Sequence, residues 1–309
     1  MLLKCAKESG QNMEIPLSSK QILIFIDWLA RTRKLKATTI NSYLSGVRQL
    51  YVMQNIDPPE FRTGLVKLVL KGISNRDGIT TRTGDYKGRL PITVNVMLLY
   101  KNLLNKLDYI AHDKAMIWAA STLAFAGAFR ISELLCKRES SFDPDFELLT
   151  ENVRLRPANA GRTIQVTLKC PKENKSNIAT TVDVFQNDGP LCPVRALIDW
   201  GGLKPENLKL PLFRFADGTP LTGAKLNKIL ELTLGRYTDK TVGKFTTHSF
   251  RIGLATELGM LGCSDEEIKE AGRWSSRAFE RYIKLKRTKR TNVAQTIKNL
   301  NGTATQESR

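Results

Sequence analysis

Between Asp113 and Gly127 the chain is so apolar, through Met116, Ile117, Trp118, Leu123 and Phe125, that a helix over this stretch has no face for water. A helix that is hydrophobic all round must sit at the centre of a core, with other elements packed around it. It also ends abruptly. The run Leu123-Ala124-Phe125-Ala126-Gly127-Ala128-Phe129 is closed by Arg130, with Ser132 and Glu133 next. Burying an unpaired guanidinium is costly, so Arg130 belongs at a helix boundary with an acid beside it.

Around that centre the periodicity is mostly helical. Ser18 and Gln21 form a capping box ahead of Ile22, Phe25, Ile26 and Leu29, and Thr38 opens a second helix bearing Ile40, Leu44, Val47 and Tyr51. A third is expected from about Glu60 to Ile73, with Leu65, Leu68, Val69 and Ile73 as its buried stripe. From Ser74 to Arg89 the pattern stops and Gly, Thr, Asp and Arg dominate, as in a linker. Thr93 then caps a helix with Val96, Leu99, Leu103 and Leu107. Two strands are expected, Thr163 to Lys169 and Thr180 to Phe185, joined by a Lys-rich connection of hairpin type. Further helices follow Thr222 (Leu226, Ile229, Leu230, Leu234), the Ser264–Glu267 capping box, and Ser275 or Ser276. The fold class is mostly α with a small β-sheet (α+β). Its divisions are a helical domain over 1–75, a basic linker over 76–89, a mixed domain over 90–300 and a disordered tail over 301–309.

The charge balance narrows the partners. Forty-eight Lys and Arg against thirty Asp and Glu leave +18, with a pI near 9.8. Such an excess favours a polyanion, because each neutralised phosphate releases a condensed counterion. No stretch approaches the length of a membrane span, and the segment Met1 to Lys7 is too short for a secretory signal. Arg31, Arg33, Lys34, Lys36 and Arg48 lie on the polar sides of the first helices, while Arg82 and Lys87 lie in the linker. All seven are candidate DNA contacts; solvated basic faces and an ordinary loop are the bland alternatives. The five cysteines are widely spaced and only two histidines accompany them, so neither a zinc site nor a disulfide framework is expected.

Three separated motifs carry the chemistry. Arg130 has Glu133 three residues on, an arrangement that also suits a purely structural ion pair. His248 and Arg251 in Thr247-His248-Ser249-Phe250-Arg251 share a helix face, one a tunable donor and the other a bidentate phosphate fork. Tyr282 follows Gly272-Arg273-Trp274 by eight positions from Trp274, among Arg277, Arg281, Lys284, Lys286 and Arg287. A phenol with a pKa near 10 becomes a nucleophile only where positive charge stabilises its phenolate. Each motif alone also fits chance or core packing.

Taken in order, Arg, then HxxR, then GRW with its Tyr resemble the tyrosine recombinases, in particular the integrases of Crypton, DIRS and Ngaro mobile elements. The likeness spans about residues 18 to 290. It rests on helix residues Leu23 to Leu29, "TTINSYLSGVRQLY" (Thr38 to Tyr51), "RLPIT" (Arg89 to Thr93), "GAFRISELL" (Gly127 to Leu135), "THSFRIG" (Thr247 to Gly253) and "GRWSSRAFERYI" (Gly272 to Ile283). It implies a core-binding and a catalytic domain closing as a clamp around double-stranded DNA, and an enzyme that works without metal, ATP or other cofactor. Arg130 and Arg251 would grip the scissile phosphate, His248 would help take the phenolic proton, and Trp274 would offer its indole N–H. Glu133 would support Arg130, and Tyr282 would form a 3′-phosphotyrosyl bond. The general acid would be a hairpin lysine, Lys172 foremost, with Lys169 and Lys175 as competitors. The likeness further implies dimers on one site, tetramers at synapsis and a nuclear location. A type IB topoisomerase-like nicking-closing enzyme and an inactive, domesticated DNA-binding protein are the alternatives.

Overall fold

The computed structural model describes residues 1–59, 61, 63–82, 88–140, 142–159, 161–169, 179–203, 208–238, 243–276 and 279–280, with residues 78–82 as backbone only. The chain separates into two compact units, Met1–Tyr86 and Lys87–Arg309.

The first unit is helical: α1 (Leu2–Ser9), α2 (Ser19–Arg31), α3 (Ala37–Met53) and α4 (Gly64–Arg82). Both arms of the Ser18–Gln21 capping box form, and Ile22, Phe25, Ile26 and Leu29 of α2 face Ile40, Leu44, Val47 and Tyr51 of α3 in one core. Trp28 fixes α1 by donating its indole N–H to Glu8 at 2.9 Å. Helix α4 departs from expectation. It starts after Glu60 and continues through residues 76–82, which composition assigns to the linker. Val66 and Leu70 are its buried residues and the expected Val69 and Ile73 pack partly against the same core, whereas Leu65 and Leu68 are 54% and 66% exposed. That rotated register also turns Asp77 inward, where its carboxylate accepts the Ala37 amide at 2.9 Å. Helix α3 therefore begins at Ala37 rather than Thr38, capped by a side chain forty positions away.

The second unit is built round α6 (Ala111–Ala126), in which every residue from Met116 to Phe125 is buried. Even its polar residues are satisfied internally: Ser121 and Thr122 donate to the carbonyls of Ile117 (2.8 Å) and Trp118 (3.0 Å). Around it lie α5 (Val94–Leu104), the single-turn α7 (Ile131–Leu134), α8 (Pro193–Trp200), α9 (Gly223–Leu234), α10 (His248–Leu261) and α11 (Asp265–Ala271). Thr93 occupies the N-cap of α5 but makes no side-chain cap; Glu257 accepts the Val94 amide instead, at 2.8 Å. The buried stripe of α5 runs through Met97, Tyr100, Leu103 and Leu104, with Val96, Leu99 and Leu107 only partly covered.

An antiparallel sheet of β2 (Val153–Ala158), β3 (Gly161–Leu168) and β4 (Thr180–Phe185) covers one side. Register pairs Val153, Val166 and Val182, then Leu155, Ile164 and Val184, so one face is apolar and turned to the core. β2 is an addition to the two strands expected from alternation. A second, two-stranded sheet pairs β1 (Gly88–Arg89) in parallel with β5 (Gly243–Lys244). Here the chain is held tightly. A Cβ on Gly243 would stand 2.3 Å from the Gly88 carbonyl oxygen, and one on Gly253 of α10 would stand 1.8 Å from that of Ile92. Cys5, Cys136 and Cys192 are buried and free and Cys263 is partly exposed, while Cys170 lies outside the described residues. Among the described residues no helix is long and apolar enough to cross a membrane.

Candidate active site

Helix α6 stops in a tight turn whose geometry follows from Gly127-Ala128-Phe129. Ala128 takes a left-handed φ of 44°, and the Phe129 ring folds back over Gly127, where a Cβ would meet it at 2.1 Å. Helix α11 ends the same way. Arg273 has φ 51°, and the Trp274 ring lies over Gly272, where a Cβ would meet it at 1.7 Å. A helix C-terminus carries unsatisfied carbonyls and partial negative charge, a natural seat for guanidinium groups.

Two arginines cross between these turns. Arg251, 2% exposed, donates to the Ala128 carbonyl and stacks on the Trp274 ring, its Cζ 4.5 Å from the centroid. Arg273 donates to the Gly127 carbonyl at 2.9 Å and stacks on the Phe129 ring at 4.8 Å. Each guanidinium thus ties its own segment to the end of α6.

Arg130 is the N-cap of α7, immediately after the turn. Glu133 receives its backbone N–H at 2.8 Å and its Nη1 at 3.0 Å, so one carboxylate both caps the helix and aims the guanidinium. The other oxygen-sharing partner of Glu133 is Arg273, whose Nη2 donates at 3.0 Å. The Glu133 side chain is 6% exposed, against 19% for Arg130 and 22% for Arg273.

His248 is the first residue of α10, held there because Asn227 accepts the Thr247 amide at 2.8 Å. Burial pushes its imidazole down to a pKa of about 4, helped by the positive charges of Arg89, Arg251 and Arg130. The ring is therefore neutral at pH 7 and able to accept a proton. Arg130 and Arg251 thus both act on the His248 imidazole, while Glu133 is hydrogen-bonded to Arg130 and Trp274 stacks on Arg251.

The hairpin lysines are only partly described. Lys169 donates to the Pro144 carbonyl at 2.8 Å and lines a cavity of about 250 Å³ together with Ser132 and Glu133. Lys172 and Lys175 lie outside the described residues, as does Tyr282. In the first unit Arg31, Arg33, Lys34, Lys36 and Arg48 are all exposed, Arg31 paired with Asp27 at 2.7 Å and Arg33 over the Trp28 ring at 5.8 Å. Lys87 and the Arg82 side chain lie outside the described residues.

Two residues gain weight that composition does not lend them. Arg89 reads as one more charge in a basic strap, yet on β1 it is paired in register with Lys244 and acts on His248. Arg273 reads as one of several arginines near Tyr282. The signal that singles it out is the recurrence of Gly-x-aromatic at Gly127–Phe129 and Gly272–Trp274.

The fold is shared with solved DNA recombination enzymes. The chain is similar to the XerH site-specific recombinase bound to palindromic difH substrate in a post-cleavage complex, with a TM-score of 0.58 and 16% identity over 97% of this chain and 78% of that one. It is similar also to the Tn1549 transposon integrase in complex with circular intermediate DNA, with a TM-score of 0.53 and 15% identity over 91% of this chain and 86% of that one. No protein-family model matches the chain, and no curated protein does. By architecture, then, this chain is an α+β protein with the fold of the tyrosine recombinases.

Proposed function

We propose that the protein is a site-specific DNA recombinase, a transposon integrase of the eukaryotic mobile-element type, cleaving and rejoining DNA through Tyr282. The observation that carries this reading is the gathering of Arg130, His248 and Arg251 with Glu133 and Trp274, drawn from two stretches, 130–133 and 248–274, that lie more than a hundred positions apart. Fold similarity to two DNA-bound recombination enzymes and a charge of +18 support it.

In this reading Arg130 and Arg251 hold the nonbridging oxygens of the scissile phosphate and stabilise the charge of the pentacoordinate transition state. The neutral imidazole of His248 takes the proton of the Tyr282 hydroxyl as its oxygen attacks phosphorus. The P–O5′ bond breaks, a hairpin lysine protonates the departing 5′ oxygen, and a 3′-phosphotyrosyl bond remains. Lys172 is the first candidate for that acid, and Lys169, beside the Glu133 cavity, is the alternative. Attack by a 5′-hydroxyl of a second duplex reverses each step. The bond energy is conserved in the phosphotyrosyl link, so no external energy source is required. The exposed cations of the first unit, together with Arg82 and Lys87, serve as backbone contacts, with dimers on each site, tetramers at synapsis and a nuclear location.

The test is a covalent adduct. The protein is incubated with nicked duplexes carrying a randomised central segment, and denaturing gels then separate linked from free DNA. Wild type gives an adduct and Tyr282→Phe gives none while binding with unchanged affinity. An adduct that survives the substitution rules out Tyr282 as the nucleophile.

A further inference from the structure

The carboxylate of Glu133 presents an electrostatic difficulty. It aims Arg130 through two hydrogen bonds, but a one-to-one Glu–Arg pair is close to neutral, and a neutral pair attracts a phosphate poorly. The difficulty is removed by a second cation. Arg273 places Nη2 3.0 Å from the same Glu133 oxygen that receives the Arg130 amide. Arg130, Glu133 and Arg273 together carry a net charge of +1, and the carboxylate is held from two sides.

We propose that Arg273 is a positioning residue for cleavage: it holds and neutralises Glu133, so that Glu133 can orient Arg130 without cancelling the charge that grips the phosphate. This proposal rests on the recombinase reading above and names the residue that sets the charge of its phosphate site.

Three observations set Arg273 apart from a direct phosphate ligand. One guanidinium nitrogen is engaged by the Gly127 carbonyl and another by Glu133. One face of its plane is covered by the Phe129 ring. Its backbone takes φ 51° at the end of α11, where glycine is the usual occupant and a β-carbon is disfavoured. Lysine could restore the charge but not the fork that spans Gly127 and Glu133.

The experiment measures adduct formation and DNA affinity separately, on the sequence recovered from wild-type adducts with the randomised nicked duplexes. Arg273→Ala is expected to slow adduct formation on the order of 100-fold, the scale of a misplaced transition-state contact, with DNA affinity changed less than about threefold. Glu133→Gln in the Arg273→Ala background is expected to restore about tenfold of the rate, because the uncompensated carboxylate is gone. Arg273→Gln, which keeps a donor for the Gly127 carbonyl, should show the same loss and the same relief, and serves if the alanine variant melts early. Arg273→Lys should fall between. A merely structural role predicts that rate and affinity decline together and that Glu133→Gln makes the defect worse. That outcome, or wild-type rates for Arg273→Ala, overturns the proposal. A wild-type protein that forms no adduct overturns the recombinase reading, and this inference with it.

Discussion

Adding one methyl group at Gly253 should unfold the second unit more than deleting many larger side chains would. Gly253 lies inside α10, where helix propensity alone favours alanine by about 1 kcal/mol. Against that, its new Cβ would stand 1.8 Å from the Ile92 carbonyl oxygen, 2.6 Å from the carbonyl carbon and 3.2 Å from the nitrogen. Backbone cannot swing aside as a side chain can, so Ile92 must retreat by more than an ångström. That retreat breaks the hydrogen bond that the Ile92 N–H donates to the Ser249 carbonyl, now 3.0 Å, and strips packing from a residue that is fully buried. A lost buried hydrogen bond costs about 1–3 kcal/mol and overpacking about 1–3 kcal/mol. The net destabilisation after the propensity gain is about 1–5 kcal/mol, or roughly 2–20 °C in the melting temperature of a unit this size. Gly46→Ala is the control. It also sits mid-helix, in α3, but its Cβ would meet nothing within 4 Å, so it should stabilise the first unit by about 1 kcal/mol. Urea titrations followed by tryptophan fluorescence and by hydrogen exchange in α10 and α3 separate the two units. A Gly253→Ala protein that melts at or above the wild-type temperature would refute the reasoning.

Two further expectations follow from local geometry. Asp77→Ala removes the carboxylate that accepts the Ala37 amide, and should lower the urea midpoint of the first unit by the equivalent of about 1 kcal/mol; an unchanged midpoint would show that water caps α3 equally well. His248 has a folded pKa pushed from 6.5 down to about 4, chiefly by burial, so between those values the unfolded chain binds the extra proton. Its contribution to stability is complete above pH 6.5 and is lost as pH falls toward 4. The loss is on the order of 1–2 kcal/mol once the partly exposed ring is discounted for screening. Stability measured against pH should flatten in that window for His248→Asn, and an unaltered slope would place the titration elsewhere.

Legibility in the sequence divides along the line between local and distant causes. The stripes of α2 and α3 are readable because apolar spacing alone decides them, and the Ser18 and Ser264 capping boxes because their partners are three residues away. Strand β4 is readable for the same reason. The register of α4 is not, since Leu65, Val66, Leu68, Val69 and Leu70 offer several faces and packing chooses Val66 and Leu70. Its length is hidden too, because Gly72, Ser74, Asn75 and Gly78 are weak helix formers, and the Asp77 carboxylate that ties this stretch to α3 finds its partner forty positions away. The caps of α3 and α5 come from Asp77 and Glu257, too far along the chain for any local pattern to reveal. The candidate site shows the same split. Its residue types and order are visible, whereas the pairing of Arg251 with Ala128 and of Arg273 with Glu133 requires the folded chain.

That crossing of two arginines over the end of α6 has a consequence for biosynthesis. The residues it joins are separated by 123, 140 and 146 positions, so the contacts close late, after most of the chain has been made and collapsed. A nascent or proteolysed fragment ending before Arg273 holds Arg130 and Glu133 only as a near-neutral couple, without the second guanidinium on the Glu133 carboxylate. On the proposed recombinase reading, a chain that has not yet reached Arg273 would lack the second cation that leaves Arg130 free to hold a phosphate.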